Sequence, residues 1–182
     1  EANIHLPLSQ TNYSFDDALN FTIKGLKGGH SGLDIYKNRG NAIKMLARVL
    51  AEGLPNFYGE FAIQILTGGT LRNAIPREAS VKLAFSSDRR DELVAAFQAA
   101  FDVVRNEIMR AEPNVMCQVA DADHVGAALT YEDTAKAIRL LNVLPSGVVR
   151  QSDLAEDTVE TSISFGVASI DEQGLSANLL NR

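Results

Sequence analysis

The chain has no tryptophan, a single cysteine and only three histidines among its 182 residues. A single cysteine excludes an internal disulfide framework and is typical of a reducing compartment, which predicts a cytoplasmic location. Because Cys117 lies in the alternating run NVMCQVA, we expect it to be a buried strand residue and not a nucleophile. No apolar run approaches the ~18 residues of a membrane span, so no membrane partner is predicted.

Basic residues are also scarce relative to acidic ones. The chain has 17 Lys and Arg against 23 Asp and Glu, and its formal net charge is −6. A nucleic-acid surface needs clustered Lys and Arg, so the composition argues against a nucleic-acid partner. The hydrophobic fraction of 46% is that of an ordinary globular protein whose length suits one domain.

The hydrophobic periodicity predicts an α+β protein. Residues 1–122 contain strand and helix patterns in the order βαββαβ, the order of a ferredoxin-like sandwich with an antiparallel sheet and helices on one face. Residues 123–182 predict an extension of a further helix and two strands. The predicted strands are 16–26, 60–66, 79–87, 114–121, 158–170 and 174–182, the predicted helices are 38–54, 89–113 and 130–145, and 144–157 is predicted to be a loop.

No metal-binding or nucleophile motif is present in the sequence. A zinc site needs three or four ligands at a recognisable spacing, such as HExxH, whereas His5, His30 and His124 lie far apart. The run DADH at 121–124 ends a predicted strand and is interpreted as an acidic turn. A G-x-S-x-G nucleophile elbow is missing too. We therefore predict no metal site within this chain.

The stretch GGHSG places His30 between a predicted strand and a predicted helix. Its glycines allow a turn with positive φ that exposes the imidazole, and an exposed imidazole can donate a hydrogen bond to developing negative charge. A flexible connecting turn has the same pattern. The residues alone leave both interpretations open.

The stretch LTGGTLRNAIPREAS, residues 66–80, is long for a hairpin connection. Pro76 has a restricted φ and favours an extended conformation at Ile75, so Asn73 is presented on a rigid loop. The Asn73 amide could hold a carboxylate or a carbonyl group. Asparagine also caps loops commonly, and that alternative stays open.

These two motifs occur together about forty residues apart, and in that combination the chain resembles the lid, or dimerisation, domain of the co-catalytic di-zinc exopeptidases, which include carnosinases and peptidase T. More narrowly, it is similar to the bacterial aminoacyl-histidine dipeptidases. The resemblance covers most of the chain. It rests on LKGGHSGLDIYKNRGNAIKMLAR, GGTLRNAIPREA, LPSGVVRQS and VETSISFGV.

The resemblance implies a role for five residues. His30 would stabilise the oxyanion in the active site of the partner subunit. Asn73 and Arg182 would hold the substrate carboxylate, and Ser146 and Gly147 would belong to a substrate loop. The strand VKLAFSS has no arginine where many members of the superfamily place one, which shifts the carboxylate role to Arg182.

The resemblance also implies a longer protein. The partners would be the chain's own catalytic domain carrying two Zn²⁺ ions, a dipeptide substrate, and a second copy bound through the lid. Since the chain begins at Glu1 and stops inside a predicted strand, we expect residues 1–182 to be a single excised lid, inactive alone. The alternative is a non-catalytic ferredoxin-like oligomerisation or small-molecule-binding module. Such a module has no reason to carry both motifs, which favours the peptidase.

Overall fold

The computed structural model describes residues 1–123, 126–155 and 158–182. The helices in these ranges are α1 (Ala42–Gly53), α2 (Arg90–Ile108) and α3 (Tyr131–Val143). The strands are β1 (Ala2–Leu6), β2 (Gln10–Asn12), β3 (Asp17–Lys24), β4 (Gly29–His30), β5 (Phe61–Gly68), β6 (Ala74–Ile75), β7 (Ala79–Phe85), β8 (Met116–Asp121), β9 (Ala127–Leu129), β10 (Gly147–Gln151), β11 (Val159–Asp171) and β12 (Gly174–Asn181).

The main sheet has the strand order β1-β12-β11-β5-β7-β3-β8, and its pairs are antiparallel. The run β5-β7-β3-β8 is the sheet of a ferredoxin-like unit, in which β3 and β7 are central. β3 pairs on both sides with strands more than fifty positions further along the chain, β7 and β8, and the predicted ferredoxin-like class is confirmed.

The predicted extension of a helix and two strands is confirmed as well, and it contains two further strands, β9 and β10. α3 precedes the β11–β12 hairpin, which joins the main sheet where Ala168, Ser169 and Ile170 pair with β5. The prediction of a loop over 144–157 is wrong at Gly147–Gln151, because β10 pairs there with the first half of β11. β10 and β11 follow each other in the chain, but their register shifts between Val148 and Arg150 and again between Arg150 and Gln151, so β10 lacks the regular alternation that local pattern would indicate.

One hydrophobic core lies between the helices and the sheet. Alternate residues of β3 point into it, and Phe21 stacks on Phe97 of α2 with 4.1 Å between ring centroids. On the other side of the sheet Ala62 and Ala84 pack with Ala128 of the short β2–β9 ribbon. None of the helices in the described ranges is long and apolar enough to cross a membrane.

Cys117 is half-buried on β8. Burial raises the pKa of its thiol to about 11, and the neighbouring Asp102 carboxylate adds to this. The thiol therefore stays protonated at neutral pH, which agrees with the expectation that Cys117 is not a nucleophile.

The N-terminus of α1 is held by Asn41, which is 8% exposed. Its Oδ1 accepts the amides of Ile43 and Lys44, and its Nδ2 donates to the Phe165 carbonyl at 2.8 Å and to Ser146 Oγ at 3.2 Å. Asn41 thus caps the helix and also ties it to β11.

We predict that Asn41→Asp lowers the free energy of unfolding by about 1–3 kcal/mol. Aspartate can cap the helix equally well, but its carboxylate has no N–H for the buried Phe165 carbonyl. The measurement is urea denaturation of this chain. Thr130→Asn is the matched control, because among the described residues the Thr130 side chain only accepts the Asp133 amide at the start of α3. Equal stability of Asn41→Asp and wild type would contradict the proposed double role.

Candidate functional site

The two sequence motifs are joined by direct backbone pairing. β4 and β6 form a two-stranded antiparallel ribbon in which Gly29 pairs with Ile75 and His30 pairs with Ala74. One residue further on, the Ser31 amide donates to the Asn73 carbonyl at 2.9 Å. His30 and Asn73, which sequence analysis singled out separately, are therefore neighbours across this ribbon.

Glycines permit the close backbone approaches on both sides of the ribbon. Gly28 and Gly29 have φ values of 64° and 150°, which L side chains rarely adopt. Gly69 has a φ of 66°, and a Cβ on it would lie 2.0 Å from the carbonyl oxygen of Gly166. Gly166 lies at the irregularity in the pairing of β11 with β12, so the loop before Asn73 crosses directly over β11.

The His30 imidazole is held by the turn that follows it. Its Nδ1 accepts the amide of Gly32 at 3.2 Å and the amide of Leu33 at 3.1 Å. Because backbone N–H groups only donate, Nδ1 is an acceptor and the proton of the neutral ring resides on Nε2. Within the described ranges Nε2 has no hydrogen-bond partner, so the half-buried ring keeps an N–H available for a ligand.

Asp34 supports the backbone of His30. Its Oδ2 accepts the His30 amide at 2.8 Å, and its Oδ1 pairs with Lys37 at 2.7 Å. The Lys37 hydrogen bond and the His30 amide hold the pKa of the Asp34 carboxyl below its ordinary value, so it is ionised at neutral pH. Sequence analysis missed this residue. The sequence does carry a signal for it, because Asp34 lies four positions after His30. At that spacing a carboxylate can reach back and accept a hydrogen bond from the backbone amide.

Arg182 lies against the same turn. Its Cδ is 3.0 Å from the position that a Cβ on Gly32 would take, and its backbone exchanges two hydrogen bonds with Ser162 of β11. In the part of the chain that the structure describes, the exposed guanidinium has neither an ion pair nor a hydrogen-bond partner. The fold thus brings a free guanidinium beside the His30 turn.

Ser146 and Gly147 lie at the start of β10, beside Asn41 at the N-terminus of α1. Ser146 Oγ accepts from Asn41 Nδ2 and from the Phe165 amide, both at 3.2 Å, so it takes part in holding the fold. Gly147 has a φ of 135° and nothing within 4 Å of a Cβ placed there. Both line a groove of about 240 Å³ that reaches Ile75 of β6, and their substrate contact stays a prediction.

Metal-binding geometry is not found among the described residues, where no group of three or more His, Cys, Asp or Glu is arranged around a common point. Asp121 of the DADH run pairs with Arg90 and is not part of such a group. His124 of the same run lies outside the described residues.

We predict that the neutral His30 ring carries its proton on Nε2, because two backbone amides point at Nδ1. Two-bond ¹H–¹⁵N correlation spectra of the labelled chain measure this tautomer directly. His5 is an internal control, because its Nδ1 faces the Ser176 hydroxyl at 3.3 Å, which can donate or accept. A neutral His30 ring protonated on Nδ1 would contradict the geometry described above.

Comparison with known proteins agrees with the fold. Residues 21–109 match the peptidase dimerisation domain family. The chain is 36% identical to the cytosol non-specific dipeptidase of Escherichia coli (strain K12) over 181 residues, which cover 100% of this chain and 37% of that protein. The crystal structure of aminoacylhistidine dipeptidase from Vibrio alginolyticus superposes with a TM-score of 0.91 at 31% identity, covering 98% of this chain and 36% of that one.

The chain thus spans little more than a third of the length of either dipeptidase. The family match lies on the ferredoxin-like unit, from β3 to the end of α2, and includes both His30 and Asn73. The dipeptidase matches extend it to the whole sheet, including β11 and β12. Residues 21–109 of this chain therefore carry a peptidase dimerisation domain.

Proposed function

We propose that residues 1–182 form a single lid and dimerisation domain of a cytoplasmic metallo-dipeptidase that hydrolyses Xaa-His and other dipeptides. The observation that carries the proposal is the His30 imidazole, with Nδ1 held by two amides and Nε2–H left for a ligand. The names of the two similar proteins, both dipeptidases, support the same conclusion.

The chemistry follows from the orientation of the ring. When a water attacks a peptide carbonyl, negative charge develops on the carbonyl oxygen, and a pre-oriented N–H donor stabilises that charge. His30 Nε2–H is such a donor. The ring is held in place by Gly32 and Leu33, and its backbone by Asp34, so little reorganisation is needed at the moment of reaction.

Arg182 and Asn73 complete the proposed substrate contacts. A guanidinium binds a carboxylate through two parallel N–H bonds, and the Arg182 guanidinium has no competing ion pair among the described residues. Asn73 is exposed beside the ribbon, and its backbone is fixed by the Ser31 amide. We propose that both side chains hold the C-terminal carboxylate of the dipeptide.

Zinc does not fit the residues described here, since they contain no ligand group. The two Zn²⁺ ions of the proposed enzyme would be held by a catalytic domain outside this chain. The contribution of this chain is limited to binding the substrate and stabilising charge. On its own, the chain would be inactive.

The proposed homodimer needs a surface, and the β8 edge of the sheet offers one. β8 pairs with β3 on one side only, within the described residues, and an unpaired edge can bind a second strand. Large apolar side chains are exposed on β8 and on or just after the neighbouring α2: Met116 at 49%, Val103 at 54% and Met109 at 45%.

For the proposed enzyme, the expected effect of His30→Ala in the longer protein is a fall in kcat of roughly 10²–10³, the usual loss for an oxyanion donor. KM should change much less, because the contact forms mainly in the transition state. Steady-state hydrolysis of an Xaa-His dipeptide measures both constants. His5→Ala is the control, since the His5 ring is hydrogen-bonded to Ser176 on the neighbouring strand β12 and lies outside the His30 segment. An unchanged kcat would reject the role of His30.

For the proposed dimer, Met116→Lys should shift the chain toward monomer by placing a charge on the β8 edge. Sedimentation equilibrium of the purified chain measures the dissociation constant, and we expect it to rise at least ~10-fold. Val143→Lys is the matched control, because Val143 is 72% exposed on α3 and so tests charge alone. An equal effect of both variants, or none, would place the interface elsewhere.

A further inference from the structure

A buried carboxylate joins the two ends of the segment that carries His30. Glu112 lies in the turn after α2 and is 0% exposed. Its Oε2 accepts the Lys27 amide at 2.8 Å, and its Oε1 accepts the Gly40 amide at 3.0 Å. Residues 27–40 connect β3 to α1, so one side chain closes this connection into a loop with His30 inside it.

The geometry requires a carboxylate in particular. Two converging N–H donors need two acceptor oxygens, whereas a glutamine has one oxygen and an NH₂ group that would face one of the amides. Burying a polar group is costly unless it is hydrogen-bonded, and both Glu112 oxygens accept N–H donors. Within the described ranges the carboxyl group forms no salt bridge, so its hydrogen bonds hold two backbone segments.

The close packing around Gly40 favours the hydrogen bond between its amide and Glu112. A Cβ on Gly40 would lie 2.6 Å from Leu26 Cδ2 and 2.8 Å from Ile108 Cδ1. A side chain at residue 40 would have to displace the ends of Leu26 and Ile108, whereas glycine leaves room for the close approach that brings the Gly40 amide within reach of Glu112. We call the pair of Glu112 hydrogen bonds the clasp. The regular secondary structure of residues 27–40 is limited to the two-residue strand β4 and a short 3₁₀ turn at Ile35–Lys37.

We infer that Glu112 is a positioning residue for His30. The inference rests on the proposed function, because an oxyanion donor must be held within a fraction of an ångström of its productive place. Glu112 contacts the two ends of the loop, away from His30 itself, and acts on His30 only through the backbone of the loop. Asp34 orients the His30 amide locally, whereas the clasp sets where the whole loop stands relative to α1 and α2.

The test uses Glu112→Gln, which keeps the size of the side chain and removes one acceptor. In the longer protein we expect kcat to fall ~10-fold with KM nearly unchanged. In a His30→Ala background the same substitution should not lower kcat further, because Glu112 affects the reaction only by positioning the His30 side chain. The matched control is Glu107→Gln, which removes an exposed carboxylate of α2 that pairs with Arg48.

A second measurement does not depend on activity. Hydrogen exchange at the Lys27 and Gly40 amides of the 182-residue chain should be slow in wild type and markedly faster in Glu112→Gln, while Glu107→Gln leaves both slow. All assays are run below the melting temperature of each variant, measured in parallel.

The outcomes separate the two proposals. Equal losses of kcat in the wild-type and His30→Ala backgrounds would mean that Glu112 is only a structural residue, and no loss in either would also overturn the inference. If His30→Ala itself leaves kcat unchanged, the proposed function fails. The clasp is then judged by exchange alone, and unaltered protection of Lys27 and Gly40 in Glu112→Gln would overturn it.

Discussion

The pairing of β4 with β6 is the constraint on which the site depends. Two residues on each side, Gly29 and His30 with Ile75 and Ala74, bring together segments more than forty positions apart. A ribbon this short is not stable by itself in water. It forms because both strands are anchored elsewhere, through the Ser31 amide on the Asn73 carbonyl and through the Pro76 carbonyl, which accepts the first amide of α1. Both motifs thus meet at the start of one helix.

The support around this ribbon is polar and largely buried. Asn41 ties the start of α1 to β11, and Asp34 accepts a hydrogen bond from the His30 amide. Glu112 joins the two ends of the loop that carries His30. Each of these side chains satisfies backbone groups that regular secondary structure leaves unpaired in an irregular segment. A buried polar group is costly unless its hydrogen bonds are complete, and here nearly every oxygen and nitrogen named has a partner. Such a network favours one arrangement of the loop over its alternatives.

Charge around the His30 turn differs from that of the chain as a whole. The net charge is −6, yet three arginines border the turn. Arg39 donates to the Gly28 carbonyl and Arg77 to the Leu26 carbonyl, so both serve the backbone. Arg182 lies against Gly32 with its guanidinium exposed. A locally positive site on an acidic protein suits a small anionic ligand, whereas an extended polyanion would meet repulsion beyond the site.

Local sequence determined the elements of the ferredoxin-like unit, because period-two and period-3.6 patterns in β3, α1, β5, β7 and α2 are set by which face each residue buries. It also determined that His30 and Asn73 stand on turns, through their glycines and Pro76. The tertiary structure alone decided that these turns pair, that β10 is a strand, and that Glu112 and Arg182 reach the His30 loop. The β4–β6 pairing and the contacts of Glu112 and Arg182 join residues far apart in the chain, and their free energy depends on the assembled core and not on any local pattern.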